Sequence, residues 1–231
     1  KVDGNLIADN VTIMSSIQTT GAGSHNAGVW DSLTISSLGA AALDNVTVSN
    51  AKSCLIVDGL LQAKHLVVAD CLIGIEVDGS ATIEHFVAND VDIDGVRVTG
   101  DADISDGEMS DLSGGVHSSG DLVLNDVGFM NAGTGVTLTG GTADLADLQF
   151  LSGVGNAVSI SAGVSGDIDG MSGSSTNAIV SMDSTGFTIT DIDMSGERLV
   201  NSWSAGNLTI SDAVYVFFTI VVYNKITLSR S

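Results

Sequence analysis

The chain has 231 residues, with 28 glycines, no proline and only 4% aromatic residues, a composition that disfavours long helices and favours many tight corners. Its 28 acidic residues outnumber 7 basic ones and give a formal net charge of -21, which excludes nucleic acid as an expected partner because a phosphate backbone would be repelled. The elements predicted along the chain are short strands separated by corners.

A marker glycine recurs through most of the chain, at intervals of 20–22 residues after the first interval. The markers are Gly4, Gly39, Gly59, Gly79, Gly100, Gly120, Gly141, Gly163 and Gly206, with Thr185 in the one missing place. Six residues after each marker stands Asn, His or Asp, namely Asn10, Asn45, His65, His85, Asp106, Asp126, Asp147, Asp169, Asp191 and Asp212. So many coincidences at one offset indicate a repeat architecture.

Apolar residues alternate with polar ones before each marker, between marker and turn residue, and after the turn residue. Val136 and Leu138 show this alternation before Gly141, and Leu148 and Phe150 show it after Asp147. Period two is typical of strands with one buried face. Three such strands per repeat close into a three-sided coil, and coils stacked about 4.8 Å apart build parallel sheets around a continuous core.

The coil length, the three strands per coil and a turn column that includes Asn10 and Asn45 resemble the right-handed parallel β-helix family, the pectin-lyase-like superfamily. The resemblance covers residues 1–212 and implies an all-β solenoid of about ten coils of 20–22 residues, with three short strands per coil. It concerns the fold and implies no particular activity.

Three segments depart from the repeat, in chain order. An insertion at residues 17–32 contains Trp30. The coil at residues 157–177 has Ser165 and Asp167 where apolar residues are expected, and we expect it to be loosely packed or shifted in register. Residues 213–231 form an aromatic C-terminal segment that we interpret as a cap or an assembly contact. Its apolar run is too short to span a membrane. The assembly candidates are Trp30, Tyr215, Phe217, Phe218 and Tyr223.

Cys54 and Cys71 fall near the third corner of successive coils, so they form either a disulfide or two buried thiols. His65 and His85 share the turn column, but two histidines alone do not predict a metal site, and no metal ligand is assigned. The Asp residues of the same column either bind Ca²⁺ or ambient cations, or accept hydrogen bonds from their own corners. No other cofactor is expected.

The outward row before the marker places Glu76, Arg97 and His117 on neighbouring coils, with Asp78 two residues after Glu76 and Asp58 at the same place one coil earlier. In enzymes that resemble this fold, that sheet often carries the substrate groove, so these five residues are candidates for binding a polysaccharide. The alternative is a ladder of opposite charges on a solvated strand, which contributes about 0.2–1 kcal/mol per pair. No catalytic residue is assigned.

Asn10, Asn45 and Asn207 each begin an Asn-x-Thr motif and are candidates for N-glycosylation. Asn also suits a corner for its tolerance of left-handed backbone geometry.

These observations favour an extracellular or cell-surface structural module of a surface layer, fibre or adhesin that associates end to end, and disfavour an enzyme. A carbohydrate-active enzyme or carbohydrate-binding domain is the alternative.

Overall fold

The computed structural model of the protein describes residues 2–3, 6–14, 33–36, 40–182, 186–196, 198–202, 208–211, 213–216 and 226–229. The first eight strands are β1 (Val2–Asp3), β2 (Leu6–Met14), β3 (Leu33–Ser36), β4 (Ala40–Val57), β5 (Leu60–Val77), β6 (Ala81–Val98), β7 (Ala102–Ser118) and β8 (Leu122–Leu138). The others are β9 (Thr142–Ser152), β10 (Asn156–Ile160), β11 (Ser165–Ser174), β12 (Ala178–Met182), β13 (Phe187–Ser195), β14 (Arg198–Ser202), β15 (Leu208–Ser211), β16 (Ala213–Val216) and β17 (Ile226–Ser229). None of the described residues forms a helix of the length and apolarity that crossing a bilayer requires.

Successive coils pair in parallel throughout the described chain. Each of β4 to β8 completes one turn, and each of β4 to β7 pairs along its length with the strand one turn later. β8 pairs with β9 and then with β10. In the next three turns, β9 and β10, β11 and β12, and β13 and β14 share the circuit. The described residues therefore form an all-β parallel solenoid of about eight turns, which confirms the predicted fold class. The predicted count of about ten includes the two ends, where β1–β3 and β15–β17 cover only parts of a turn.

The three sides of a coil are clearest in β4. The first side is residues 40–44, the second is 46–49 and the third is 51–57, with corners at Asn45, Asn50 and residues 58–59. Asn45 and Asn50 each turn the chain through a single residue of positive φ, so pairing resumes at once on the next side. This is why the strand runs through two corners, although three separate short strands were predicted.

The first corner has the turn residue at eight of the ten predicted positions, while Asp169 is displaced and Asp212 lies outside the described residues. Positive φ of 50–54° occurs at Asn10, Asn45, His65, His85, Asp106, Asp126, Asp147 and Asp191. These residue types are the ones that most readily adopt left-handed backbone geometry after glycine. A second column, five residues later, was missed by sequence reasoning and consists of Asn50, Asp70, Asp90, Asp111 and Asn131.

One coil is shifted by one residue, and here the predicted column is wrong. Asp169 lies opposite Ala146, not Asp147, and Gly170 takes the corner with a φ of 83°. The shift puts Ile168 into the core opposite Leu145. Counting from the marker Gly163 would have buried Asp167 there instead, so desolvation of a carboxylate decides the register.

Glycine at two kinds of position lets the coils approach each other. At the third corner, Gly79 has a φ of 155°, and a Cβ there would collide with the carbonyl oxygen of Gly59. Inside the core, a Cβ on Gly107 would collide with the buried ring of Phe86. Phe129 and Phe150 stack one coil apart with ring centroids 5.2 Å from each other. The core is therefore a column of large side chains interleaved with small ones, which is how close packing is reached.

The interior is less covered at the N-terminal end of the described stack. The inward-facing residues of β2 are only partly buried, namely Leu6, Ala8, Val11 and Ile13. Their partners one coil later are buried, namely Ala41, Leu43, Val46 and Val48. Among the described strands, β4 is the one that pairs with β2.

Cys54 and Cys71 are joined by a disulfide between β4 and β5, with Cα atoms 5.9 Å apart and both residues buried. The spacing lies inside the usual range for disulfides, about 4.4–6.8 Å.

The insertion at 17–32 with Trp30, and the candidates Asn207, Phe217, Phe218 and Tyr223, lie outside the described residues. For Tyr215 the structure describes the backbone of β16 alone.

Candidate functional site

The third side of β5, β6 and β7 carries the row of charged residues that the repeat predicts. Glu76 lies opposite Arg97, and Arg97 lies opposite His117, each one coil apart. All three side chains are about one-third exposed. The parallel register thus brings together three residues that are separated by a full turn of chain each time.

A fourth residue, Asp94, completes this cluster. Its Oδ2 atom accepts hydrogen bonds from Nη2 of Arg97 at 2.6 Å and from Nε at 2.9 Å. Nδ1 of His117 lies 3.6 Å from the same oxygen, and Nη1 of Arg97 lies 3.9 Å from Oε1 of Glu76. The Asp94 side chain is only 12% exposed, so its bond to Arg97 is shielded from solvent far better than an ordinary surface ion pair. We call Glu76, Asp94, Arg97 and His117 the third-side cluster.

Asp94 reaches this position through an irregularity in β6. Between Val91 and Asp94 the strand has one residue more than either neighbour, so the register shifts on both sides. Gly114 lies opposite in β7, and a Cβ there would collide with Oδ1 of Asp94. The bulge and the missing side chain together make the space that a carboxylate needs beneath Arg97.

The sequence does contain a signal for Asp94. The interval from Gly79 to Gly100 is 21 residues where the preceding interval is 20, and the extra residue falls in the acidic stretch before Gly95. The straight outward rows used for prediction skip that position.

The other two candidates of this face lie apart from the cluster contacts. Asp78 accepts a hydrogen bond from Oγ1 of Thr99 at 2.8 Å, and the backbone N–H of Asp58 donates to the carbonyl of Ile35 at 2.8 Å. These residues extend the ladder along the third corner. Chemically, Arg97 is engaged by Asp94 and lies near Glu76, which suits it to hold the carboxylates in place rather than to accept a proton.

The first side of the coils is lined by acidic residues. A groove of about 670 Å³ runs there across β6, β7, β8, β9 and β11, and its aspartates are Asp101, Asp103, Asp121, Asp144 and Asp167. Hydrogen bonds from the backbone N–H of Thr142 at 2.7 Å, then from its Oγ1 at 2.9 Å, lower the pKa of the Asp121 carboxyl.

Within the described ranges no group of three or more His, Cys, Asp or Glu residues is arranged to hold a metal ion. Ca²⁺ binding along the Asp column stays a prediction.

The first corner carries the two histidines of the turn column. His65 and His85 stack with centroids 5.3 Å apart and planes inclined by 15°. Nδ1 of His65 lies 2.9 Å from Oδ1 of Asp44, and Nδ1 of His85 lies 3.5 Å from Oδ2 of Asp106. The hydrogen bond from His65 is the largest cause that lowers the pKa of the Asp44 carboxyl, and slight desolvation opposes it.

Two of the three glycosylation candidates are described. Asn10 and Asn45 are exposed at the first corner of consecutive coils, with φ of 52° and 51°. Both asparagines satisfy the corner's need for a residue of positive φ, and both side chains are accessible. Glycosylation at Asn10 and Asn45 stays a prediction.

Comparison with models of protein families, with curated proteins and with solved structures finds no match to this chain.

Proposed function

We propose that this protein is an extracellular structural or interaction module, of the kind that builds a surface layer, fibre or adhesin, and that it associates end to end through its solenoid. The less covered interior at the N-terminal end of the described stack carries this proposal. Leu6, Val11 and Ile13 face the core but are only partly buried. Among the described strands β2 pairs with β4 on one edge, so its other edge can pair with a further coil. We assign that coil to a second copy of this chain, since strand edges with apolar faces recruit other chains.

The charge of the chain shapes how such association depends on conditions. A formal net charge of -21 repels like molecules over about 8–10 Å at moderate salt. Added salt screens this repulsion and strengthens the apolar contact between ends. End-to-end association should therefore grow with both protein concentration and ionic strength.

The test compares the wild type with Val11→Lys, in which a charge faces the end of the core, by light scattering and by electron microscopy across salt and protein concentration. The matched control is Val123→Lys, on an outward-facing position of β8 that is 45% exposed. We expect oligomers or filaments for the wild type and Val123→Lys, and monomers for Val11→Lys with unchanged circular dichroism. A wild type that stays a monodisperse monomer under all conditions rules out end-to-end assembly.

The extracellular location forms part of the same proposal. The buried disulfide between Cys54 and Cys71 supports it, because such bonds persist in oxidising compartments. The exposed Asn-x-Thr motifs at Asn10 and Asn45 support it in the same direction. We also assign the solenoid the right-handed sense of the pectin-lyase-like superfamily, supported by its three-sided coils and Asn-containing turn column.

A carbohydrate-binding role of the third-side cluster is a second proposal, favoured by the addition of Asp94 to the predicted row. Carboxylates and a guanidinium fixed at known distances can accept and donate hydrogen bonds to sugar hydroxyls. A glycan array with the wild type and Glu76→Gln tests it. Retained binding by a Glu76→Gln variant, or none by the wild type, counts against this cluster as the site.

A further inference from the structure

The first corner places a histidine where the backbone does not require one. The column needs a residue that tolerates positive φ, and elsewhere it holds Asn, Asp or Gly. His65 and His85 adopt φ of 52° and 50°, like the smaller residues around them. Backbone geometry therefore accounts for the column, but not for two imidazoles on consecutive coils.

Each imidazole has a carboxylate near its Nδ1 atom, from the neighbouring coil that does not carry the other histidine. Asp44 on β4 accepts from Nδ1 of His65 on β5, and Asp106 on β7 lies 3.5 Å from Nδ1 of His85 on β6. Because His65 donates from Nδ1 to Asp44, its lone pair lies on Nε2, and the nearby Asp106 carboxylate favours the same tautomer for His85. Metal-ligating histidines almost always have this outer partner, which fixes the tautomer and raises the basicity of the ligating nitrogen.

Both Nε2 atoms are available for a ligand. The side chains of His65 and His85 are 48% and 46% exposed, and neither Nε2 has a hydrogen-bond partner in the part of the chain that the structure describes. Neighbouring charges favour a cation: Asp44 and Asp106 flank the rings, and Lys64 is paired with Glu84 at 3.4 Å. Binding by both nitrogens requires the stacked rings to tilt toward each other, because metal–nitrogen bonds are about 2.0–2.1 Å long.

We propose that His65 and His85 together bind one divalent transition-metal ion through their Nε2 atoms, with water completing the coordination. Imidazole nitrogen selects Cu²⁺, Ni²⁺ or Zn²⁺ over the oxygen-seeking Ca²⁺ and Mg²⁺. The site is independent of the proposed structural role and would exist on the isolated chain.

The experiment titrates the whole protein with Cu²⁺ in the presence of excess Mg²⁺, which occupies the surface carboxylates, and follows binding by calorimetry and electron paramagnetic resonance. The variants are His65→Asn and His85→Asn, which place the native Asn of this column in the corner. The matched control is His117→Asn on the third side. Asp44→Asn tests the orienting carboxylate.

We expect one Cu²⁺ per chain with hyperfine coupling to two nitrogens. Each corner variant should weaken binding at least about tenfold, Asp44→Asn should weaken it by about tenfold or more with both nitrogens retained, and His117→Asn should leave it unchanged. The proposal is overturned by a spectrum without two coupled nitrogens, or by a loss in His117→Asn equal to that in the corner variants. Circular dichroism and thermal melting of the metal-free variants establish that the fold is intact.

Discussion

Arg97 and Asp94 form a paired hydrogen bond in which a single carboxylate oxygen accepts from Nη2 at 2.6 Å and Nε at 2.9 Å. Because the Asp94 side chain is largely buried, Arg97→Ala leaves a shielded carboxylate without its main partner. We expect a loss of about 1–3 kcal/mol in the free energy of unfolding. Glu76→Ala, which removes the more exposed contact at 3.9 Å, should lose less than about 1 kcal/mol.

Urea denaturation of Arg97→Ala and Glu76→Ala measures the two losses. Adding Asp94→Ala and the double variant Asp94→Ala/Arg97→Ala completes a double-mutant cycle for the Asp94–Arg97 pair. Equal losses for Arg97→Ala and Glu76→Ala would show that burial of Asp94 does not strengthen the pair.

Gly107 leaves space for the ring of Phe86 one coil earlier, so Gly107→Ala should overpack the core. Overpacking of this kind typically destabilises by about 1–3 kcal/mol. Gly128→Ala is the matched control, since the nearest atom to its added Cβ is a carbonyl oxygen 3.9 Å away. Thermal melting should separate the two variants, and a neutral Gly107→Ala would mean that the Phe86 ring can move aside.

Reduction of the Cys54–Cys71 disulfide should lower the melting temperature. The two residues are separated by 17 positions, and closing a loop of about that length stabilises by about 3 kcal/mol in the chain-entropy account. The double variant Cys54→Ala/Cys71→Ala should melt lower than the oxidised wild type and should not respond to reductant. If a strong reductant under partly denaturing conditions leaves the melting temperature of the wild type unchanged, the disulfide does not contribute the expected stability.

The hydrogen bond from His65 lowers the pKa of Asp44 below its usual value of 3.8. The folded state therefore prefers the carboxylate more than the unfolded chain does, so this contribution to stability is present above pH 3.8 and disappears as the pH falls through the folded pKa. His65→Asn should melt at a lower temperature than the wild type near neutral pH, and the difference should shrink on acidification below about pH 4. A difference that stays constant down to pH 2 would assign the effect of His65 to packing.

The aspartates at the first corner of neighbouring coils should make stability depend on salt. Asp106, Asp126 and Asp147 succeed each other along one column, and like charges about 4.8 Å apart repel by about 0.9 kcal/mol in water. We expect the melting temperature of the wild type to rise with NaCl or CaCl₂. The melting temperature of Asp126→Asn should rise less, because this variant has lost one of the repelling charges. Comparing the two salts at equal ionic strength separates bound Ca²⁺ from screening, and a melting temperature that is flat in both salts removes the idea.

The sequence predicts the solenoid well because its corners impose a stereochemical demand. A single residue of positive φ must stand at a fixed place in every coil, and the residue types that tolerate it are few. Asn45 and Asp126 are therefore visible in the sequence as members of a column. The second column, which includes Asp70 and Asn131, follows the same rule. It was not predicted because the repeat was aligned only on the marker glycine and the position six residues after it.

The candidate site is predicted less completely, because it depends on where the repeat is interrupted. Glu76, Arg97 and His117 follow from regular spacing, but Asp94 is reached through an extra residue in β6 and needs Gly114 opposite. The register of the coil containing Ile168 likewise depends on which choice keeps charges out of the core. Such one-residue shifts are decided by packing energy between coils, which a count along a single chain does not contain.

The strand pairings link each coil to the turns immediately before and after it, so the stability of this protein is distributed along one dimension. Coils in such a stack can open one after another from an end instead of melting all at once. The Cys54–Cys71 bond ties β4 to β5 near the N-terminal side, and protects those turns more than the distant ones. From β4 onward, partial unfolding should therefore begin in the β13–β16 strands, so hydrogen exchange would show protection that declines from β4 and β5 toward that end.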